Sequence, residues 1–416
     1  MQQQRTQPVH QAWSNRHRAF AQLAAPSLQP TGTRSNLAPG QNVLVLVFLR
    51  GGMDGLSLVA PYGDPDYAAH RPTQAIPAPG SIGGGLNLNG FFALHPAAAA
   101  LYPFYGQGKL AVVHTVGSPD PTLSHFDAQN RIESAYIGQL PPPGHEATGW
   151  MGRHMAALVN NVPLRGVVLE NTITLAAAGA PGTLPMPDPA EFSLSGYQST
   201  IGARRSLLRM LYDRTIPALA RPAIDTLEAI DYVQGIDFAG YVPQNGAMYP
   251  SGSDFAHRLL RAATLIREDV GVEFIEIDSG GWDDHDGLGA NVGPFYDRVQ
   301  DLADSLAAFA TDLGTTMNRV TVVVMSEFGR RVTENGSQGV DHGRAGAMLL
   351  LGNRVAGGQV VHDWQGLTPA DLDDGSLPVR IDYRDVLAEV LAEQMGCTNL
   401  GIPFPSFAPT FRNLIQ

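Results

Sequence analysis

Acidic and imidazole side chains follow two hydrophobic runs in the C-terminal half of the chain. The stretch VVVMSEFGRRVTENGSQGVDHGRAG ends its hydrophobic run at Glu327 and then places Asp341 and His342 side by side in a glycine-rich loop. An earlier loop, GGWDDHDG, carries Asp283 and His285. Carboxylate oxygens and imidazole nitrogens bind divalent cations, and loops that contain glycine can aim neighbouring side chains at one ion. These five residues are therefore candidate metal ligands.

Each of these loops also has an ordinary structural interpretation. Asp283 and His285 fit a turn in which aspartate side chains bond to their own backbone. Glu327 fits an ion pair with Arg330 or Arg331. For each loop taken alone, the metal interpretation and the structural interpretation both stay open.

Two clusters in the N-terminal half could act on an anionic group. The segment TLSHFDAQNRIES begins a predicted helix at Ser124, which either caps the helix or presents a hydroxyl nucleophile at its positive end. The next residue, His125, fits a ligand, a base or a packed imidazole. The segment RGGMDG offers Arg50 and Asp54, either as an anion clamp with a metal ligand or as a tight turn followed by a helix cap.

The composition restricts the kind of metal site and the kind of partner. Cys397 is the only cysteine, which excludes intramolecular disulfides and thiolate zinc clusters and leaves oxygen and imidazole ligands. Lys and Arg total 27 against 39 Asp and Glu, a formal charge of -12, and no basic stripe is present that would follow a phosphate backbone. We therefore expect no nucleic-acid partner. No apolar run reaches the ~18 residues of a transmembrane helix, so we also expect no membrane span.

Six hydrophobic runs rich in β-formers are expected to position these side chains. They are NVLVLVFLRGG, KLAVVHTVG, GVVLE, VEFIEIDSGG, RVTVVVMSEFG and AMLLLG, with helical patterns between several of them. Strands that alternate with helices favour a doubly wound α/β fold with a mostly parallel sheet. Ligands bind at the carboxyl ends of the strands in such sheets. Because polar clusters lie beside five of the runs, we expect these clusters to meet at one edge.

The chain of 416 residues is long enough for one large α/β domain with an insertion. We assign residues 42–416 to this domain. Within it, residues 138–252 have stretches rich in proline and small residues and a long helical pattern from Thr200 to Tyr232, and we expect a cap over the site. Residues 1–41 are polar and contain proline, and we expect a disordered or signal-like arm.

Five segments together resemble a bacterial family, the domain of unknown function DUF1501. They are VFLRGGMDGLSLVAPYGDPDY, LAVVHTVGSPDPTLSHFDAQNRIES, GGWDDHDG, MSEFGRRVTENGSQGVDHGRAGAMLLLG and IDYRDVLAEVL, in the expected order over about residues 40–415. That family looks like a distant branch of the alkaline phosphatase and sulfatase superfamily. The resemblance implies an alkaline-phosphatase-like sheet, one or two divalent cations, a hydroxyl nucleophile at a helix start, and cleavage of phosphate or sulfate esters.

The resemblance also implies roles for individual residues. Superfamily enzymes usually place an aspartate where this chain has Arg50, and they usually have an adjacent Asp-His where this chain has Glu327 and Phe328. Members are often exported, so a periplasmic or secreted location is expected, with the cytoplasm as the alternative because the arm lacks paired arginines. Carried over by position, the nucleophile is Ser124 and the metal ligands are Asp283, His285, Glu327, Asp341 and His342.

We predict a metal-dependent hydrolase of phosphate or sulfate esters, with zinc, manganese or calcium as the cation and an anionic small molecule or polymer as the substrate. Ser124 or a metal-activated water would attack, Asp54 would join the ligands, and Arg50 or Arg330 would neutralise developing charge. The alternative is a non-catalytic binding or assembly protein on the same scaffold with a degenerate site, which the displaced first aspartate favours. A serine hydrolase without metal is disfavoured because the chain has no G-x-S-x-G elbow.

Overall fold

A computed structural model describes residues 40–138, 148–158, 160 and 162–416, so residues 1–39 of the expected arm lie outside the described residues. The strands are β1 (Val43–Leu49), β2 (Val59–Ala60), β3 (Leu86–Asn87), β4 (Ala93–Leu94), β5 (Leu110–Gly117), β6 (Gly166–Val168), β7 (Thr183–Pro185), β8 (Phe274–Ser279), β9 (Val320–Ser326), β10 (Gly346–Leu351), β11 (Val360–Val361) and β12 (Ile381–Asp382). The α-helices are α1 (Gly55–Leu58), α2 (Tyr67–His70), α3 (Tyr102–Gly106), α4 (His125–Ser134), α5 (Trp150–Ala157), α6 (Ile201–Tyr212), α7 (Pro217–Gln234), α8 (Asp254–Arg267), α9 (Pro294–Leu313) and α10 (Tyr383–Glu389). Short 3-10 turns span Pro96–Ala98, Pro189–Glu191, Gln198–Thr200 and Gly314–Arg319, and a π-helical turn, Val390–Gln394, follows α10.

Strand β1 is buried on both of its faces. Because successive side chains of a strand point to opposite sides, Val43, Val45 and Val47 join one apolar core, whereas Leu44 and Leu46 join another. Helices α8 and α9 contribute to the first core, and α4, α5 and α10 contribute to the second. The continuous apolar run of the sequence is therefore explained by a strand that has helices on both sides.

Within the described residues, nine strands form the central sheet, in the order β11-β5-β10-β9-β1-β8-β6-β7 with β12 paired to β5. Strand β1 runs parallel to β8 and β9, and β6 runs parallel to β7 and β8. Strand β10 is antiparallel to both of its neighbours, β5 and β9. The predicted α/β fold with a mostly parallel central sheet is confirmed.

The strand directions bring the polar clusters of the sequence to one edge of the sheet. Leu49, at the end of β1, pairs with Ser279 of β8 and with Ser326 of β9. Gly346, at the start of the antiparallel β10, lies opposite Val116 near the end of β5. The loops that follow β1, β5 and β8 and the loop that joins β9 to β10 are therefore neighbours, as expected for a parallel sheet with one reversed strand.

Residues 138–252 are not a cap throughout. Strands β6 and β7 belong to this segment and extend the central sheet beyond β8. The helical pattern from Thr200 to Tyr232 is divided into α6 and α7, and α7 begins at Pro217, where a residue without a backbone N–H is tolerated. None of the described helices is long and apolar enough to cross a membrane. A cap formed by α6 and α7 stays a proposal.

Candidate metal centre

Three imidazole rings and one carboxylate meet at the carboxyl edge of the sheet. The Nε2 atoms of His125 and His342 each lie 3.4 Å from Oδ1 of Asp283. The Nε2 atom of His285 lies 3.1 Å from the same oxygen. Ligand atoms of His125, Asp283 and His342 all lie within 4.8 Å of one another. Asp283 Oδ1 is thus the point at which nitrogens from the start of α4, the loop after β8 and the loop before β10 converge.

The His125 ring is oriented by Glu327, which follows β9. Its Nδ1 lies 2.8 Å from Glu327 Oε1, and that oxygen also accepts hydrogen bonds from the Gln129 amide and the Gly51 backbone N–H, each at 2.9 Å. Burial would raise the pKa of Glu327, but these hydrogen bonds hold it below its usual value, so the carboxylate is ionised and His125 Nδ1 carries a hydrogen. His125 Nε2 is buried and has no hydrogen-bond partner among the described residues.

The other two rings are held in the same tautomer. His342 Nδ1 lies 2.7 Å from the carbonyl oxygen of Leu123, which can only accept a hydrogen bond. His285 Nδ1 lies 3.1 Å from Asp341 Oδ1, and the bonds from His285 and Asn335 keep the pKa of Asp341 below its usual value. The two Nε2 atoms face each other at 2.8 Å, a hydrogen-bond distance. Burial lowers the pKa of His342, which disfavours a proton on this ring and favours a bound cation in its place.

The group formed by His125, Asp283 and His342 has distances to Asp283 Oδ1 that fit a cation of the zinc type, and His285 lies beside this group. Zinc binds imidazole nitrogen and carboxylate oxygen at about 2.0–2.2 Å, which places neighbouring ligands of a tetrahedral ion about 3.3 Å apart. The nitrogens of the three rings lie 3.1 or 3.4 Å from Asp283 Oδ1. The side chains of Asp283 and His285 are 47% and 43% exposed, so the cluster opens to solvent.

Arg330, which was expected to face a substrate, is buried and ties the loops of the site together. Its guanidinium donates to the carbonyls of Gly52 at 2.5 Å, Val340 at 2.9 Å and Trp282 at 3.2 Å. Its Nη2 also donates to Asp283 Oδ1 at 2.7 Å. Burial would raise the pKa of Asp283, but the hydrogen bond and charge of Arg330 bring it below its usual value. Arg330 therefore positions the carboxylate on which the rings converge.

Asp54, expected among the metal ligands, is not brought to the cluster. Its two oxygens accept hydrogen bonds from Arg71 at 2.7 and 3.0 Å, and Ser57 donates to it at 2.6 Å. Both charged groups are buried. Burial would raise the pKa of Asp54, but the charge of Arg71 holds it below its usual value. Arg71 was invisible as a partner in the sequence because the two residues are separated by α1, β2 and α2.

Arg50, expected to bind an anion, is surrounded by carboxylates. It pairs with Glu133 at the end of α4, with Asp278 at 3.0 Å and with Glu276 at 3.6 Å. Glu276 is buried, and this burial, followed by the charges of Asp278 and Glu133, raises its pKa. Arg50 thus neutralises an acidic group and joins α4 to β1 and β8.

Ser124 lies next to the cluster with an uncommitted hydroxyl. It is exposed and precedes α4 with extended backbone angles, yet its side chain makes no capping hydrogen bond. The following residue is His125, so the hydroxyl is one residue away from a candidate ligand.

Sequence reasoning left the role of His125 open and did not identify Gln129. One feature of the sequence pointed to His125 as a site residue. It follows β5, and the end of β5 lies at the same edge of the sheet as the two loops that contain Asp and His. Gln129 lies four residues further along α4, the spacing at which helical side chains share a face. Both side chains reach the same oxygen of Glu327.

Several solved structures resemble this chain at low identity. The sulfatase PsFucS1 from Pseudoalteromonas sp. is 13% identical, the match covers 96% of this chain and 74% of that chain, and the TM-score is 0.37. The alkaline phosphatase from the Antarctic bacterium TAB5 is 12% identical, with coverage of 78% and 95% and a TM-score of 0.32. The C-terminal periplasmic domain of EcEptC from Escherichia coli, in complex with zinc, is 11% identical, with coverage of 77% and 75% and a TM-score of 0.31. At these scores the likeness carries no argument about activity.

The sequence comparisons give a partial match to one family model and indicate no activity. No curated protein shows significant similarity to this chain. Residues 233–401 match the family model "Protein of unknown function (DUF1501)", a span that is shorter than half of the chain. This span contains Asp283, His285 and His342. It begins at residue 233 and therefore does not include His125. This match agrees, over residues 233–401, with the resemblance carried by the sequence motifs.

Proposed function

We propose that this protein is a metal-dependent hydrolase of phosphate or sulfate esters, with one cation of the zinc type held by His125, Asp283, His285 and His342. The observation that carries the proposal is the convergence of three imidazole nitrogens on one carboxylate at the open edge of the sheet. A cation in this position polarises an ester oxygen and lowers the pKa of an attacking hydroxyl. The choice of phosphate and sulfate esters follows from the family resemblance of the motifs.

A single ion is supported by the partners of the other expected ligands. Both oxygens of Asp54 are engaged by Arg71. Glu327 accepts hydrogen bonds from His125 and its neighbours. Phe328, which stands where the superfamily usually has a histidine, packs with its ring centroid 4.8 Å from those of both His125 and His342. These side chains support one ligand set and offer no second one.

The remaining residues have roles in this proposal that follow from their contacts. Ser124 is the nucleophile, because its hydroxyl is exposed and is not used to cap α4. The positive end of α4 attracts the anionic ester. Glu327 and Asp341 fix the tautomers of His125 and His285. We extend the proposal to a periplasmic or secreted location and to a role of α6 and α7 in substrate choice, which cell fractionation and deletion of the two helices would test.

The first experiment measures metal by plasma mass spectrometry in the wild-type protein and in the variants His125→Ala and His342→Ala. His257→Ala is the matched control, because this histidine lies on α8 and pairs with Asp188 away from the cluster. About one equivalent of zinc, manganese or calcium is expected in the wild type and the control, and none in the two cluster variants. Absence of metal in the folded wild type after growth and dialysis with metal would refute the site.

Turnover of 4-nitrophenyl phosphate and 4-nitrophenyl sulfate is then compared between the wild type and Ser124→Ala. Loss of turnover with retained metal supports Ser124 as the nucleophile, whereas retained turnover assigns the attack to water. Bound metal without turnover of either ester would favour the second candidate, a non-catalytic metal-binding protein. The engagement of Arg50 and Asp54 in internal ion pairs is the observation that favours this candidate.

A further inference from the structure

A concave pocket of about 400 Å³ lies at the edge of the sheet opposite the metal cluster. It is lined by Lys109, which directly precedes β5, and by Leu351, which ends the antiparallel β10. The metal cluster follows the other end of β5. Eight residues of strand separate the two edges, which is about 26 Å at about 3.3 Å per residue. The pocket is therefore a separate site.

Lys109 is the only lysine in the chain, and its ammonium group has no partner among the residues that the structure describes. The other cationic side chains are arginines, many of them in ion pairs such as those of Arg50, Arg71 and Arg330. Within the part of the chain that the structure describes, no acceptor or carboxylate engages the ammonium group of Lys109. In a chain with a formal charge of -12, an unpaired cation in a concavity is a site for an anion.

The backbone around Lys109 is fixed before any ligand binds. Its N–H donates to the carbonyl of Phe104 at 2.8 Å, and its carbonyl accepts from the N–H of Gly352 at 3.0 Å. These two bonds hold the residue between α3 and the end of β10. A preformed backbone reduces the entropy lost on binding, which is a property of ligand sites.

Two asparagines restrict the chemistry of the ligand. The Asn245 amide donates to the carbonyls of Thr311 at 2.9 Å and Asp312 at 3.2 Å. The Asn353 amide donates to Asn318 Oδ1 at 2.8 Å and to the carbonyl of Gly314 at 3.3 Å. Because their NH2 groups are engaged, both side chains can offer a ligand only a carbonyl oxygen, which accepts hydrogen bonds. A complementary ligand therefore carries hydroxyl or amino donors as well as negative charge.

The pocket also has an apolar wall of a size suited to a small molecule. Phe104, Met317 and Leu351 contribute this wall. Small-molecule sites are mostly clefts of about 300–1,000 Å³ with apolar walls and a few polar groups. An inorganic ion would leave most of this volume to water.

We propose that this pocket binds a small organic anion, a carboxylate or phosphate that also carries hydroxyl or amino groups, with its charge on Lys109. The carbonyl oxygens of Asn245 and Asn353 accept its donors, and Phe104, Met317 and Leu351 contact its carbon skeleton. The proposal is independent of metal binding at the other edge.

The single lysine allows a direct test on the full-length protein. Reductive methylation with 13C-formaldehyde labels Lys109 and the N-terminal amine, and both methyl signals are followed by 1H–13C correlation spectroscopy. Lys109→Met identifies the Lys109 signal. The labelled protein is titrated with inorganic phosphate, sulfate, glycolate, glycine and glycerol phosphate up to millimolar concentrations.

A saturable shift of the Lys109 signal with glycolate, glycine or glycerol phosphate is expected, while the N-terminal signal stays in place. Asn353→Asp adds a carboxylate to the pocket and is expected to abolish this shift, whereas Asn87→Asp, at an exposed position elsewhere, leaves it unchanged. Equal binding of inorganic and organic anions would overturn the assignment of donors to the asparagines. Failure of every probe to move the Lys109 signal more than the N-terminal signal would overturn the site. The His342→Ala protein is expected to give the same titration. Failure of the hydrolase proposal would therefore leave this result unchanged.

Discussion

The Nε2 atoms of His285 and His342 lie 2.8 Å apart although each ring donates its Nδ1 hydrogen to an oxygen acceptor. Two neutral rings in this tautomer repel each other across the gap. A cation bound between the two nitrogens would replace this repulsion with attraction. Without the cation, a hydrogen on one of the two nitrogens makes this contact a hydrogen bond.

Zinc binding to the metal-free protein near neutral pH is therefore expected to release about one proton from this pair. Isothermal titration in two buffers with different ionisation enthalpies measures the number. The heat of binding should differ between the buffers in the wild type, and the difference should shrink in His285→Asn, which keeps a polar side chain without a titratable ring. Equal heats of binding in both buffers for the wild type would show that zinc binding releases no proton from these rings.

Glu327→Gln is expected to weaken metal binding about 10–100-fold without abolishing it, because Glu327 orients His125 through Nδ1. A glutamine cannot supply the ionised acceptor that fixes this tautomer. The dissociation constant for zinc is measured by competition with a chromophoric chelator. Glu273→Gln is the control, since Glu273 is also buried but pairs with Arg165. That variant should lose stability and keep its affinity, and an unchanged affinity in Glu327→Gln would contradict the assigned role.

Asp54→Asn is expected to lower the free energy of unfolding by about 3 kcal/mol and to leave the metal content unchanged. The variant leaves the buried Arg71 guanidinium without its counter-charge. Because the folded-state pKa of Asp54 lies below its usual value of about 3.9, this stabilisation is complete above that pH and is lost as the pH falls through the folded-state pKa. Urea unfolding at a series of pH values should show the two proteins converging in acid. Loss of the metal in the folded variant would return Asp54 to the ligand set.

Arg330→Lys is expected to destabilise the protein by about 3 kcal/mol and to reduce metal affinity, since lysine cannot reproduce a planar group that donates to several carbonyls and to Asp283. The adjacent Arg331→Lys is the matched control. Arg331 is 40% exposed and pairs with Asp374, which is 89% exposed, so its replacement should change stability by less than about 1 kcal/mol. Chemical unfolding and metal analysis of both variants provide the comparison. Similar effects of the two replacements would show that the carbonyl contacts of Arg330 contribute little.

The parts of the fold that the sequence predicted are those in which local pattern and tertiary environment agree. The apolar runs of β1 and β9 are continuous because these strands are buried on both faces, and a central parallel strand requires this pattern. The direction of β10 was not predictable, because its buried run GAMLLL would look the same in either orientation. Strands β6 and β7 have only three residues each, so their place in the sheet depends on the pairing of β6 with β8 and of β7 with β6 rather than on their own pattern.

The residue types of the site were predictable from the sequence, whereas the interaction partners of individual residues were less predictable. Asp283, His285 and His342 could be found because acid and imidazole residues followed strands that share an edge. The partner of Asp54 could not be found from the sequence, because an ion pair between residues on separate elements leaves no periodic pattern. Arg330 looked available for a substrate in the sequence, whereas the structure surrounds it with carbonyl oxygens. The identity of a charged residue predicts that it needs a partner, and only the fold determines which partner it has.

The position of β1 in the sheet has a consequence for how this protein can be divided. Strand β1 pairs with both β8 and β9, yet it lies far outside residues 233–401, the region that matches the family model. A fragment limited to that region would hold β8 and β9 about 9–10 Å apart with both inner edges unpaired, a state that invites aggregation. The region that matches the family model is therefore a sequence signature and is not expected to fold as an autonomous unit. Truncated genes made for expression, and searches for ancestral modules, should start upstream of Val43.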